Sequence, residues 1–192
     1  MSVTVYPATS DRWDDLEALF ESASATRNCW CMWWRIAGNA WREIDKAGRK
    51  TAFRNLVDQH PAPGVLAYLD GRAVGWAQAT PRRAVPRFNN GRTSKPEQGA
   101  DLDKIWTLSC FFIRSEARKQ GLMEELARGA CAHAVAHGAV SVEASAFRPT
   151  RPLERSEGYV GLIGPLNRAG FIEIAERGTH RTLMRWTPAP DG

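Results

Sequence analysis

Three features of the sequence predict an α/β fold built on one mixed sheet. Asp70-Gly71, a dipeptide suited to the positive φ angles of a tight turn, separates the alternating apolar runs of "GVLAYLDGRAVGWAQATPR", so residues 64–82 form a β-hairpin. The stretch "IWTLSCFFI" is apolar on both faces, as a central strand must be. Leu122, Leu126, Ala130 and Ala134 follow at helical spacing, and a further strand covers 140–147. A strand, a helix and a strand joined by short links imply a parallel pair with a right-handed crossover. The hairpin makes the remainder of the sheet antiparallel.

The other elements fall around this frame. "VTVYPA" alternates as a strand, and "SDRWDDLEALFES" places Trp13, Leu16 and Phe20 on one helical face behind a capping Ser10 or Asp11. "NCWCMWWRIAGNAW" holds four of the eight tryptophans, a density that suits either a core or the wall of an acceptor pocket. "WREIDKAGRKTAFRNLVDQ" is predicted as one helix, with Phe53, Leu56 and Val57 inward and "HPAPG" as its stop. Residues 81–104 form a long basic excursion, either a mobile loop or a ligand-covering one, because plain connections are rarely so long. A short helix over 162–168, closed by Gly170, leads into the strands "FIEIAER" and "RTLMRW", bent at Gly178.

With 192 residues, 43% hydrophobic and 24% charged, the chain has a globular composition and the length of one domain spanning 1–192. A net charge of +5 favours an anionic ligand but is small for a nucleic-acid binder. No apolar run approaches the ~18 residues of a membrane span and the start lacks the pattern of a signal peptide. A cytoplasmic protein without membrane contact is expected. Cys29, Cys31, Cys110 and Cys131 are then reduced thiols. "CWC" lacks the second ligand pair of a zinc site, and His133 and His137 lack a third ligand, so no metal is expected and both histidines are assigned to solvated helix positions.

The stretch "FFIRSEARKQGLMEEL" joins the central strand to the helix after it. Where a helix begins, several backbone N–H groups lack partners and the dipole adds about half a positive charge. Gly121 admits close backbone approach, and Arg118 and Lys119 add charge, so this seam suits a pyrophosphate. Each charge-assisted hydrogen bond there is worth roughly 1.5–3 kcal/mol. Neither GxxxxGK[ST] nor GxGxxG is present, and a solvated basic turn is the competing reading.

Arg118, Lys119, Gln120, Gly121, Leu122 and Met123 resemble the acetyl-coenzyme A motif of the GNAT N-acetyltransferases, [RQ]xxGx[GA], with Met123 departing from the last small position. The order of elements resembles that family over nearly the whole chain, and "CWCMWW", "CFFI" and "YVGLIGPLNRAGF" resemble a subgroup with a Cys-Trp-Cys segment. The resemblance implies a GNAT-like fold: a central, mostly antiparallel sheet with helices on both faces and a splayed parallel strand pair. It implies acetyl-CoA as co-substrate. The backbone of Cys110, Phe111, Phe112 and Ile113 would pair with the pantetheine arm, with 142–144 across the gap, and the amides from Arg118 to Met123 would cradle the pyrophosphate.

An amine acceptor with a pKa near 10.4 costs about 4–5 kcal/mol to present neutral at pH 7, so a base is expected. Glu143, the one carboxylate in 140–147, is the candidate base, with an outward-facing strand residue as its alternative. Many GNAT enzymes protonate the leaving thiolate with a tyrosine before the "GF" turn; Leu166 stands there, and Tyr159 is the candidate acid in its stead. Cys29, Cys31 and Cys110 are candidate nucleophiles for an acyl-cysteine step, although direct attack is the family's rule. The implied partner is a small-molecule or peptide amine, and a homodimer is compatible with the chain. Two other readings compete: an acyl-CoA-binding module without turnover, and a nucleic-acid binder using Arg82, Arg83, Arg87, Arg92 and Lys95.

Overall fold

The computed structural model of the protein describes residues 2–150, 152–153 and 157–189. Its strands are β1 (Val3–Pro7), β2 (Gly64–Leu69), β3 (Arg72–Pro81), β4 (Ile105–Ile113), β5 (Ser141–Phe147), β6 (Ile172–Glu176) and β7 (Arg181–Trp186). They form one sheet in the order β1-β2-β3-β4-β5-β7-β6, with β4 and β5 parallel and the other neighbours antiparallel. The expected mixed sheet with helices on both faces is what the chain builds. Asp70 and Gly71 take φ of +49° and +83°, the two positive angles that match a tight turn to the twist of a hairpin.

Alternation along the strands divides the apolar residues between two layers. Val65, Ala67, Leu108 and Phe111 pack under helices α6 (Leu122–Val135) and α7 (Ile163–Arg168), which contribute Leu126, Ala130 and Leu166. Leu66, Trp76 and Phe112 face the opposite way, against α1 (Trp13–Glu21), α2 (Ser24–Cys29) and α4 (Lys46–Val57), where Leu16, Phe20, Trp30 and Phe53 close an aromatic cluster. Period-two strands meeting helices on both sides give this layering. Trp30 stacks on Trp13 at 5.8 Å and is fully buried, whereas Trp33 is exposed, so the tryptophan-rich stretch supplies both core and surface.

The local readings were displaced where tertiary contacts or a better cap prevailed. The segment expected as one helix over 41–59 divides into α3 (Ala40–Glu43) and α4, because the Asp45 side chain accepts from Gly48 N at 2.7 Å and starts a new helix. Helix α1 begins after a 3₁₀ turn, Ser10–Arg12, without the expected side-chain cap. The 81–104 excursion is packed: it carries a short helix α5 (Pro86–Asn89), and Arg82, Val85, Phe88 and Ser94 are all buried. Arg83 pairs with Asp103, and Arg87 lies over the Trp33 ring at 3.7 Å, so much of its positive charge is engaged within the fold.

His133 also corrects an expectation. It is buried, not solvated: its Nε2 donates to the Ala62 carbonyl at 3.0 Å and its ring meets Trp106 edge-on at 5.4 Å. Burial pulls its pKa below the ordinary value, helped by His137 and opposed by the Ala62 hydrogen bond. The unfolded chain therefore takes up this proton first as pH falls below about 6.5, and stability drops from there toward the depressed folded value. Urea unfolding at pH 7.5 and 5.5 should show that loss, and His133→Gln should reduce the difference between the two pH values.

Candidate active site

The central feature of the site is an interruption in strand pairing. β4 and β5 pair from Ile105 opposite Ser141 to Leu108 opposite Ala144, and there the pairing stops. On the other edge of β4 the register with β3 shifts between Cys110 opposite Gln78 and Leu108 opposite Ala79, leaving Ser109 as the extra residue of a β-bulge. The two strands then diverge. A 3₁₀ turn at Glu157–Val160 and the residues after it enter beside the gap, where Phe147 N donates to the Gly161 carbonyl at 2.9 Å. Gly161 has φ +89°, and a Cβ on it would stand 3.0 Å from the Phe111 ring, so both conformation and space require glycine.

Beside the diverging end of β4 runs a groove of about 580 Å³, walled by the start of α6 and by α7. Of the residues expected to bind a ligand, it gathers Phe111, Ile113, Arg118, Lys119, Gly121, Leu122 and Met123, and it adds Tyr159. Cys110 and Phe112 are absent from its walls because their side chains alternate to the opposite face, and Gln120 turns back to donate to the Glu116 carbonyl at 3.1 Å. Ala117, Leu153, Gly158, Leu162, Pro165 and Arg168 also line it. They come from separate segments, so sequence spacing gave no sign of them. Arg168 is steadied by Glu124, accepting from its Nε at 2.8 Å.

At the head of the groove, Lys119 and Gly121 hold positive φ, +63° and +80°, and the N–H groups of residues 119–123 find no acceptor among the described residues. The 14-residue α6 adds its N-terminal dipole behind them. Arg118 donates from Nε to the Ile113 carbonyl at 3.1 Å, which holds the charge beside these amides. Nothing lies within 4 Å of a Cβ built on Gly121, so that backbone opens onto free space. Tyr159 packs 6.5 Å from the Phe112 ring; burial pushes its hydroxyl pKa upward, with the Arg118 charge opposing.

Across β4 lie the thiols. Cys31 Sγ is 3.6 Å from Cys110 Sγ and accepts from Trp76 Nε1 at 3.0 Å. Burial pushes Cys29 up to about 11 and Cys31 well above the ordinary thiol value, so both are neutral at pH 7. Among the described residues no three His, Cys, Asp or Glu groups stand in a metal-holding arrangement.

Glu143 is not beside the gap. It lies opposite Thr107, below the last parallel pair, and residues 145–147, not 142–144, face the diverging strand. Its carboxylate is 1% exposed, with Oε2 accepting from Arg82 Nε at 2.8 Å and Oε1 from Arg185 Nε at 2.9 Å. Arg82, with no exposure, also donates to Asn89 Oδ1 and the Ser94 carbonyl, at 3.0 and 3.1 Å.

Free amides at a helix start stand beside an unpaired strand edge, an arrangement suited to an extended ligand with an anionic end. The sequence profile of the acetyltransferase (GNAT) family matches residues 27–153, and the chain belongs to that family. It is an N-acetyltransferase by class. Solved structures of similar fold include a GCN5-related N-acetyltransferase from Kribbella flavida, 14% identical over 97% of this chain and 98% of that one with a TM-score of 0.55. The GNAT domain of S. lividans PAT is 12% identical, over 98% and 92%, with a TM-score of 0.54. AAC(6')-Ib, solved with acetyl-CoA and paromomycin, is 17% identical, over 97% and 94%, also with a TM-score of 0.54. No curated protein sequence matches the chain.

The position of Glu143 makes a stability prediction. Removing one member of a buried ion pair leaves an uncompensated charge and costs about 3–5 kcal/mol. Glu143→Ala should lower the urea-derived stability by that amount and loosen the 81–104 segment in hydrogen exchange, whereas Arg83→Ala, at the exposed Asp103 pair, should change it by about 1 kcal/mol or less.

Proposed function

We propose that the protein transfers the acetyl group of acetyl-CoA to the amine of a small molecule or peptide by direct attack, with residues 1–192 acting as one domain. The observation that carries this reading is the row of unpartnered amides at 119–123, opening onto the groove that leads to the β4–β5 gap. In it, these amides and Arg118 hold the pyrophosphate. The edge of β4 at Cys110, Phe111, Phe112 and Ile113 pairs through its backbone with the pantetheine arm as an added strand would. The thioester then ends at the Ser109 bulge.

Attack forms an N–C bond from the amine to the thioester carbonyl and breaks the C–S bond, with the sulfur leaving as thiolate. Tyr159 returns a proton to it; its raised pKa keeps the phenol protonated and able to donate at neutral pH. Leu166, at the position of the family's usual tyrosine, is wholly buried and serves packing. Glu143 is reassigned from base to positioning residue, since both its oxygens are held by arginines away from the gap. The amine proton leaves through water. Neutral Cys29 and Cys31 support direct attack over an acyl-cysteine intermediate. No described helix is long and apolar enough to cross a membrane.

Acetyl-CoA should raise the melting temperature of the protein, and an absence of any shift at millimolar ligand would overturn the reading. Arg118→Ala should weaken coenzyme A binding roughly ten- to a hundredfold in calorimetry, and pantetheine, which lacks the phosphates, far less. Gly121→Ala directs a methyl into the space assigned to phosphate; it should reduce coenzyme A affinity while costing the fold about 1–2 kcal/mol, the strain of an L-residue at positive φ.

For Tyr159→Phe the expected result is a fall in kcat of about 10²-fold or more, with coenzyme A affinity nearly unchanged. The parent should hold its rate up to about pH 10 and lose it only above, because deprotonating a phenol of raised pKa removes the donor. A stopped rate profile for parent and variant across pH 7–11 checks both.

A further inference from the structure

On the face of β4 turned away from the groove, a partly buried cation, Arg35, has no carboxylate against it among the described residues. Arg35 follows the turn at Trp30 and Cys31, two non-glycine residues with φ of +48° and +49°. With the Gln78 amide oriented to satisfy both its ends, the oxygen accepts from Arg35 Nε at 2.8 Å and the nitrogen donates to the Cys31 carbonyl at 3.2 Å. Gln78 has no exposure and is the strand partner of Cys110, next to the Ser109 bulge. The guanidinium is thereby held at the level of the gap, on the side of α1, α2 and α4.

Arg35 as a residue is partly exposed, but its Nη2 is closed off from solvent and meets no acceptor. The single ionisable neighbour acting on it among the described residues is the neutral Cys31 thiol. Burial draws its pKa down to about 10, so it remains charged at pH 7. Glu143 is no counter-ion for it, being spent on Arg82 and Arg185. A cation taken out of water is tolerated when an opposite charge completes it, and guanidinium edges match carboxylate geometry with paired donors. Nε is occupied by Gln78, and Nη2 lies without an acceptor among the described residues.

We propose that Arg35, positioned by Gln78, binds a carboxylate of the acceptor, and that the acceptor is a small molecule carrying both an amine and a carboxylate, as free amino acids do. This rests on the acetyl-transfer reading above. The carboxylate docks on Arg35 while the amine reaches across Cys110 toward the thioester at the bulge. The neighbouring Trp76, Cys31 and Cys110 would surround its carbon chain.

The test compares matched acceptors: amino acids, their N-acetyl products, and the amines that remain when the carboxylate is removed, such as lysine against cadaverine. Turnover by mass spectrometry and melting shifts of the coenzyme A-saturated protein are read for the parent, Arg35→Lys and Arg35→Gln. The parent should favour at least one carboxylate-bearing acceptor over its decarboxylated partner by roughly ten- to a hundredfold in kcat/KM or in binding. Arg35→Lys should keep part of that ratio and Arg35→Gln should abolish it, while the melting shift with coenzyme A alone stays the same in all three. A parent that responds to coenzyme A but shows no preference for the carboxylate anywhere in the panel overturns the proposal, and so does an Arg35→Gln variant that keeps the preference. Should Arg35→Gln fail to fold, the parent panel and Arg35→Lys decide. A parent that shows no shift with coenzyme A sinks the acetyl-transfer reading itself, a separate outcome.

Discussion

Pairing between β4 and β5 ends at Leu108 and Ala144, and the character of the molecule depends on that stop. A parallel pair continued to the end of both strands would satisfy its own backbone groups and present no edge. Here the Ser109 bulge turns β4 as the pairing ends, and the backbone beyond it is open to another strand-like partner. Helix α6 begins after β4 and a short connecting turn, so its unpartnered amides stand beside the same opening. One interruption therefore aligns a free strand edge with a helix start suited to an anion.

The opening has to be held apart, and the charged cluster beneath it contributes to this. Glu143 sits opposite Thr107, below the final paired residues, clamped between Arg82 from the excursion and Arg185 from β7. Two guanidiniums on one carboxylate, with Asn89 and the Ser94 carbonyl taking further donors of Arg82, satisfy hydrogen bonds that burial would otherwise leave broken. Such clusters add little net stability over apolar packing but are costly to break singly. In this protein the cluster joins β5, β7 and the excursion, which fixes where β5 lies as β4 departs from it.

The sheet also separates two chemical environments. On the α6 side the groove combines apolar walls with cations and free amides, suited to a long anionic ligand. The other side is an aromatic layer around Trp30, Trp76 and Phe53, with neutral thiols and Arg35 held by Gln78. Alternation along β4 sends Phe111 to the first and Cys110 and Phe112 to the second. Ligands arriving from opposite faces can meet only where the strand pairing is broken.

Much of this was legible in the sequence because it is encoded locally. Period-two runs around Asp70-Gly71, the both-sided apolarity of "IWTLSCFFI", and a glycine at the start of an amphipathic helix each depend on residues a few positions apart, so the hairpin, the central strand and the helix after Gly121 followed from spacing. Tyr159, named from the sequence as the candidate acid, lines the groove. What spacing could not supply was the partner of each charge. Glu143 looked available because nothing near it in sequence opposes it; Arg82 and Arg185, 61 and 42 residues away, occupy it only once the sheet is assembled. Arg82 itself seemed a loop cation until packing buried it against a carboxylate, and no local pattern singled out Arg35, which packing leaves without a carboxylate among the described residues. Backbone conformation is set by neighbours along the chain, and the state of a charge is set by what folding brings against it.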